Sequence, residues 1–204
     1  AWSTPTTWPA SAIRGKSMEW PFDLRGRDRF VVLDTAWRGG DLFHAAVAAS
    51  PQGLHYIGIA DSPLPGFRRI PQADARITLD LLHAPLEQAL AQLDARLDAI
   101  CLHGLEGQGA GFVRGLAKLS VPGTQLAAEG LDGEQRDALA KAGFVFDASQ
   151  RRAVFASRKP FAARTPPAAR RAIVIGEGLA GSAACERLCA RGWQVTLVER
   201  HAQA

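Results

Sequence analysis

Apolar residues along this chain come in short runs, separated by polar stretches that carry glycine and proline. Phe30-Val31-Val32-Leu33 is one such run, without polar alternation, as in a strand buried on both faces of a parallel sheet. Gly39-Gly40 breaks it, and Asp41 to Ala49 carries a helical pattern. Leu54 to Ile59 reads as a second strand, closed by Asp61, Pro63 and Pro65, and Ile77-Thr78-Leu79 as a short third one. Leucines at 86, 90, 93 and 97 recur in steps of four, three and four, which predicts an amphipathic helix from Leu86 to Leu97. A strand from Asp98 to Leu102, a helix from Phe112 to Leu119, a turn at Pro122-Gly123 and a strand from Gln125 to Ala128 follow. Asp132 to Ala142 predicts a helix that Gly143 stops. Phe144 to Phe146 and Ala153 to Ala156 then form a closing hairpin.

Strands that alternate with helices imply an α/β layer with a largely parallel sheet, and a hairpin after such units suits the methyltransferase variant of that architecture. Pro160, Pro166 and Pro167 mark a linker, and a new unit starts at Arg171. The expected organisation is an irregular segment over 1–28, a Rossmann-like methyltransferase-type domain over 29–158, a linker over 159–170 and a second α/β unit over 171–204.

That second unit carries the sharpest chemical signal. Ala172 to Ile175 is a strand, Gly176-Glu177-Gly178-Leu179-Ala180-Gly181 turns into a helix from Ser182 to Arg191, and Gln194 to Val198 is a strand that finishes at Glu199. Gly176 suits the tight turn, Gly178 lets backbone approach a pyrophosphate, and Gly181 lets the helix pack closely on the strand. The helix N-terminus aims its free N–H groups at phosphate, and a carboxylate at Glu199 suits ribose hydroxyls. Strand, helix and acid are in register, with the acid at about the 20-residue spacing of a dinucleotide fingerprint. The alternative is a glycine-rich turn that binds nothing.

Composition narrows the classes. The chain has 204 residues, 47% hydrophobic, and no apolar run near the length of a membrane span. Its first twenty residues lack the apolar core of a secretory signal. Cys101, Cys185 and Cys189 are too few for a disulfide framework. A cytoplasmic protein with no membrane partner is expected. Cys185 and Cys189 share a helix face, either as small packing residues or as a redox or metal pair. The five histidines show no metal spacing, so no metal is expected. Net charge is +4, but seven bases and no acid lie between Asp147 and Glu177, which leaves seventeen bases against twenty acids elsewhere. That basic stretch is either a solvated linker or a contact for a polyanion such as RNA.

The carboxyl-terminal unit resembles the FAD-dependent amino-acid oxidase superfamily. The resemblance implies FAD contacts at Gly176, Gly178, Leu179, Ala180, Gly181, Glu199 and Arg200, with the acid on the adenosine ribose. With the pieces Arg27 to Thr35, Leu54 to Ile57, Leu116 to Gly123 and Ala142 to Phe144 upstream, Arg25 to Ala204 resembles the MnmC family of bifunctional tRNA 5-methylaminomethyl-2-thiouridine biosynthesis proteins. In that family a methyltransferase domain is fused to an FAD oxidoreductase, and tRNA is the substrate. The unit over 171–204 has only 34 residues, so flavin-ring and catalytic residues are expected beyond Ala204 and the catalytic set is left unknown.

The methyltransferase half departs from the family where chemistry should occur. The equivalents of an S-adenosylmethionine site are Asp34, Gly39, Gly40 and Asp61. Arg38 stands where the family's glycine-rich loop has glycine, Ala60 stands where it has a ribose-binding glutamate, and His103 replaces the acid of its D-G-F-x-P segment. Three losses at one pocket imply a fold that has lost methyl transfer. The alternative is a changed pocket in which Asp61 and His103 take new roles, with His103 as a general base. The resemblance then implies that FAD-dependent removal of the carboxymethyl group from carboxymethylaminomethyl-(2-thio)uridine survives. An FAD-dependent amine or amino-acid oxidase, or a non-catalytic tRNA-docking module, are the other classes.

Overall fold

A computed structural model describes residues 20–23, 29–49, 53–60, 65–70, 72, 74–106, 109–157 and 170–199. Asp61, Arg200, most of the 1–28 segment and linker residues 159–169 lie outside the described residues.

Ten strands and five helices are described. In chain order they are β1 (Phe30–Asp34), α1 (Asp41–Ala49), β2 (Leu54–Ala60), β3 (Gly66–Ile70), β4 (Ile77–His83), α2 (Leu86–Gln92), β5 (Leu97–Leu102) and α3 (Phe112–Leu119). Then come β6 (Ser120–Ala128), α4 (Gly133–Ala142), β7 (Phe144–Phe146), β8 (Arg152–Phe155), β9 (Arg171–Ile175), α5 (Leu179–Cys189) and β10 (Gln194–Val198). The first eight strands form one sheet in the order β3-β4-β2-β1-β5-β6-β8-β7, and β9 pairs with β10 in a separate sheet. Strands β4, β2, β1, β5 and β6 run parallel, while β3, β7 and β8 are antiparallel additions at the two ends. The fold is Rossmann-like α/β.

Two cores sandwich the large sheet. One lies beneath α2, α3 and α4 and includes Leu33, Ile57, Leu90, Ile100, Phe112, Leu116 and Phe144. The other lies beneath α1 and includes Phe30, Val32, Phe43, Tyr56, Leu79 and Cys101. Trp20 and Phe22, edge to face at 5.1 Å, close that second side. Gln125 holds the segment in place, as its amide accepts from Asp23 N–H and donates to the Asp23 carbonyl. α4 is capped at both ends. Asp132 and Gln135 exchange hydrogen bonds in a capping box, and Gly143 terminates the helix at φ 113°.

Several elements differ from expectation. The helix predicted to reach Leu97 ends at Gln92, and Leu97, fully buried, opens β5. Leu93 is already extended at φ −74°, ψ 134°. The third strand runs on to His83 instead of stopping at Leu79, because Asp80 is paired inside the sheet. The turn at Pro122-Gly123 is an irregularity within the long β6, with Gly123 at φ 93°. β3 was not expected at all. α5 begins at Leu179, three residues earlier than predicted, and buries none of its described residues. Cys185 is half-buried and Cys189 exposed, so neither packs in a core.

Candidate nucleotide-binding sites

β1 lies between β2 and β5, where the connections of the parallel sheet change direction. Ligands of open α/β sheets bind at such a switch point, outside the carboxyl ends of the strands. Asp34 ends β1 there and is 2% exposed. Its carboxylate has three partners. Tyr56 OH donates to Oδ2 at 2.8 Å, His103 Nε2 approaches Oδ1 at 2.6 Å, and Ala36 N–H donates to Oδ1 at 3.1 Å. Thr35 clasps the same corner, as its hydroxyl donates to the His103 carbonyl at 2.9 Å and accepts from His103 N–H at 3.0 Å. Burial, then the Asp34 charge, pushes the Tyr56 phenol far above its ordinary range, so it remains a donor. The Cys101 thiol is raised for the same two reasons, which makes it inert packing.

The loop after β1 folds back on the sheet. Trp37 N–H donates to the Ile59 carbonyl at 2.7 Å, and the indole lies against the Gly58 backbone, where an added Cβ would sit 2.7 Å from the ring. Tyr56 and Phe43 flank the indole, with ring centroids 6.0 and 6.3 Å away. Gly39 and Gly40 take φ of 76° and 99°, and Gly40 sits beneath the indole edge and beside His44. The expected residues Asp34, Gly39 and Gly40 thus share one corner, but a side chain from the chain itself fills it. Asp34 is held by Tyr56, His103 and Ala36, and Trp37 occupies the space over Gly58 and Gly40. Tyr56 and Trp37 were absent from the sequence-predicted set. The only available signal was their place on or after strands flanking the switch point.

The turn between β9 and α5 is open by contrast. Gly176 has φ 99° and its N–H donates to the Val198 carbonyl at 2.8 Å. A Cβ at Gly181 would run into the Gly176 carbonyl oxygen, so the first helical turn sits hard on the loop and tolerates only glycine. Nothing lies within 4 Å of where a Gly178 Cβ would be, and Leu179 is 95% exposed. The amino end of α5 therefore faces solvent. Ser182 Oγ donates to the Glu177 carbonyl at 2.9 Å, and Glu199 Oε2 accepts from Glu177 N–H at 2.8 Å. The Glu199 carboxylate thus brings the end of β10 against the turn. Turn, helix end and acid together fit a dinucleotide phosphate and ribose. Among the described residues no group of three or more His, Cys, Asp or Glu could hold a metal.

Known proteins of similar sequence share one name, tRNA 5-methylaminomethyl-2-thiouridine biosynthesis bifunctional protein MnmC. The Burkholderia cenocepacia (strain HI2424) protein is 41% identical over 145 residues, which covers 68% of this chain and 22% of that protein. The Azoarcus sp. (strain BH72) protein is 32% identical over 228 residues, 88% of this chain and 36% of that one. The Burkholderia ambifaria (strain MC40-6) protein is 30% identical over 241 residues, 90% and 37% respectively. The chain belongs to the MnmC family. It spans only 22–37% of the length of these relatives. No family model matches the chain. Among solved structures, MNMC2 from Aquifex aeolicus has TM-score 0.49 and 14% identity over 63% of this chain and 53% of that one, too loose a likeness to place any residue. Within the MnmC family, then, this chain carries a large sheet with an internally filled switch point and an open glycine turn. No described helix is long and apolar enough to cross a membrane.

Proposed function

We propose that this chain is part of a tRNA wobble-uridine-modifying enzyme that retains an FAD-dependent oxidative step and has lost methyl transfer. The tRNA substrate and the cytoplasmic setting are inferred from the MnmC relatives. The observation that carries the oxidative part is the glycine turn, with Gly181 against Gly176, an uncrowded Gly178 and Glu199 at the strand end. There Gly176, Gly178, Leu179, Ala180 and Gly181 hold the pyrophosphate, and Glu199, followed in sequence by Arg200, holds the adenosine ribose. When bound, FAD accepts the hydride whose loss from the carboxymethylaminomethyl side chain leads to C–N cleavage and an aminomethyl product. This chain's own residues bind and orient that cofactor's nucleotide end.

The loss of methyl transfer is supported by the Asp34–Tyr56–His103 lock and by Trp37 on Gly58. His103 positions a buried carboxylate instead of serving as a general base. The test is analysis of tRNA nucleosides after reaction with the complete enzyme, FAD and S-adenosylmethionine. Aminomethyl-(2-thio)uridine without its methylated form is expected. A methylated product overturns the loss of methyl transfer, and unreacted carboxymethylaminomethyl nucleoside overturns the oxidative step. Calorimetric titration of S-adenosylmethionine into the chain is expected to give no binding heat, and micromolar affinity refutes the filled pocket.

A further inference from the structure

We propose that the face of the large sheet carrying Phe67 and Arg69 binds looped, unpaired RNA, with arginines on the phosphates and Phe67 stacked on a base. The proposal rests on the tRNA reading above and gives it a surface.

The face is assembled by strand alternation. Thr78 and Asp80 point to the same side of β4, Arg69 of β3 pairs opposite Asp80, and Phe67 lies two residues along on the same side as Arg69. A cavity of about 580 Å³ opens there, lined by His55, Phe67, Arg69, Asp80, His83 and Asp94 among others. Phe67 is 63% exposed and its ring centroid is 5.9 Å from the Arg69 guanidinium carbon. An exposed aromatic with an arginine over its ring is the chemistry of a base-stacking platform.

The surrounding charge is mainly positive. Arg191 Nη2 donates to Thr78 Oγ1 at 2.9 Å, and Arg170 Nη1 donates to the Arg191 carbonyl at 3.2 Å. Arg191 Nε is buried and has no hydrogen-bond partner. Arg29 stands in the same group, its guanidinium pushed below the usual value by burial and then by Arg191, Arg69 and Arg170. Arg191 is lowered by burial, Arg69 and Arg187. Among the described residues, Asp80 is the carboxylate that acts on both, and it is already engaged by Arg69 and His55. Arg29, Arg69, Arg170 and Arg191 outnumber the two carboxylates, Asp80 and Asp94, and leave a net positive site for a polyanion. An acidic peptide matches the charge but leaves the exposed ring without a role, whereas RNA with an unpaired base uses both.

The test uses the whole chain and a fluorescein-labelled RNA hairpin of about 17 nucleotides with a uridine-rich loop, read by anisotropy across a salt series. Phe67→Ala is expected to weaken hairpin binding by roughly five- to 150-fold, the loss of one base–aromatic stack, while binding to a fully paired duplex stays unchanged. Arg170→Ala is expected to reduce the slope of log K against log salt by about 0.7. Arg68→Ala removes the same charge from the opposite side of β3 and is expected to leave affinity within about two-fold. All three side chains are exposed, and unchanged circular dichroism shows that each variant is folded. Equal losses for Phe67→Ala and Arg68→Ala, or equal hairpin and duplex affinity in the parent chain, overturn the proposal. Displacement of the RNA by polyglutamate at matched charge also overturns it, in favour of an acidic protein partner. None of these outcomes touches the tRNA reading, which the nucleoside analysis decides separately.

Discussion

Replacing Asp80 with asparagine tests how the sheet carries a buried charge. Asp80 is 4% exposed, accepts from Arg69 Nε at 2.6 Å and Nη2 at 2.7 Å, and meets His55 Nε2 at 2.8 Å. Asparagine keeps the shape but turns one acceptor into a donor that faces other donors. Removing one partner of a buried ion pair costs about 3–5 kcal/mol. The Arg69 side chain is 55% exposed, so water recovers part of its solvation and the loss falls to about 2–3 kcal/mol. That is a large share of the roughly 5–15 kcal/mol of a typical domain. Urea unfolding followed by circular dichroism should show a lower midpoint with an unchanged slope. Burial alone would raise the Asp80 carboxyl, but Arg69 and His55 overcome it and hold it well below the usual carboxylate range. The folded protein thus keeps this carboxylate charged at pH values where the unfolded chain takes up a proton. Its contribution is complete above the unfolded value, about pH 4, and disappears as pH falls through the lower folded value. The gap between parent and Asp80→Asn should therefore be full at pH 7 and pH 5, and close only in stronger acid. A gap under about 0.5 kcal/mol at pH 7, within the range of an ordinary surface substitution, refutes the reasoning. So does a gap already closed at pH 5.

Two further outcomes follow from the same kind of argument. Tyr56→Phe removes the phenol that donates to buried Asp34, and should cost about 1.5–3 kcal/mol in urea unfolding, as for a hydrogen bond to a charged group. Gly143→Ala should cost more than about 1 kcal/mol, because φ is 113° and the new Cβ would lie 2.7 Å from Ser157 Cβ. Gly133→Ala, where a Cβ meets open space, serves as its neutral control.

The parallel strands were legible because their apolar runs are continuous. Phe30 to Leu33 and Leu54 to Ile59 appear within a residue of expectation, and the helix from Phe112 to Leu119 appears with its expected bounds. Failures arose where a polar or repeated residue carried a second meaning. Asp80 looked like the end of a strand, yet it lies inside β4 because Arg69 and His55 neutralise it. Leu97 matched a helical step by coincidence, while its burial between β1 and β6 decided its state. β3 has no apolar face to betray it, since four of its five residues are exposed. At the switch point the sequence exposed the substitutions Arg38, Ala60 and His103, but not how they would be accommodated. That depended on Tyr56, placed by the register of β2 with β1, and on Trp37, placed by the loop after β1 folding back onto β2. The glycine turn was the most legible feature, because glycine spacing alone encodes its backbone geometry.

The arginines of β3 also bear on how copies of this protein meet. A sheet that is not closed ends in strands whose unpaired N–H and C=O groups invite another molecule to continue it. At one end of this sheet stands β7, only three residues long and too short to template much pairing. At the other end stands β3, where docking a second copy edge to edge would bring two Arg68 and two Arg69 side chains together. Such an approach is repelled at low salt and eased as salt screens the charge. Arg69 of the proposed RNA-binding face and Arg68 of the opposite face thus both work against eight paired strands growing into sixteen.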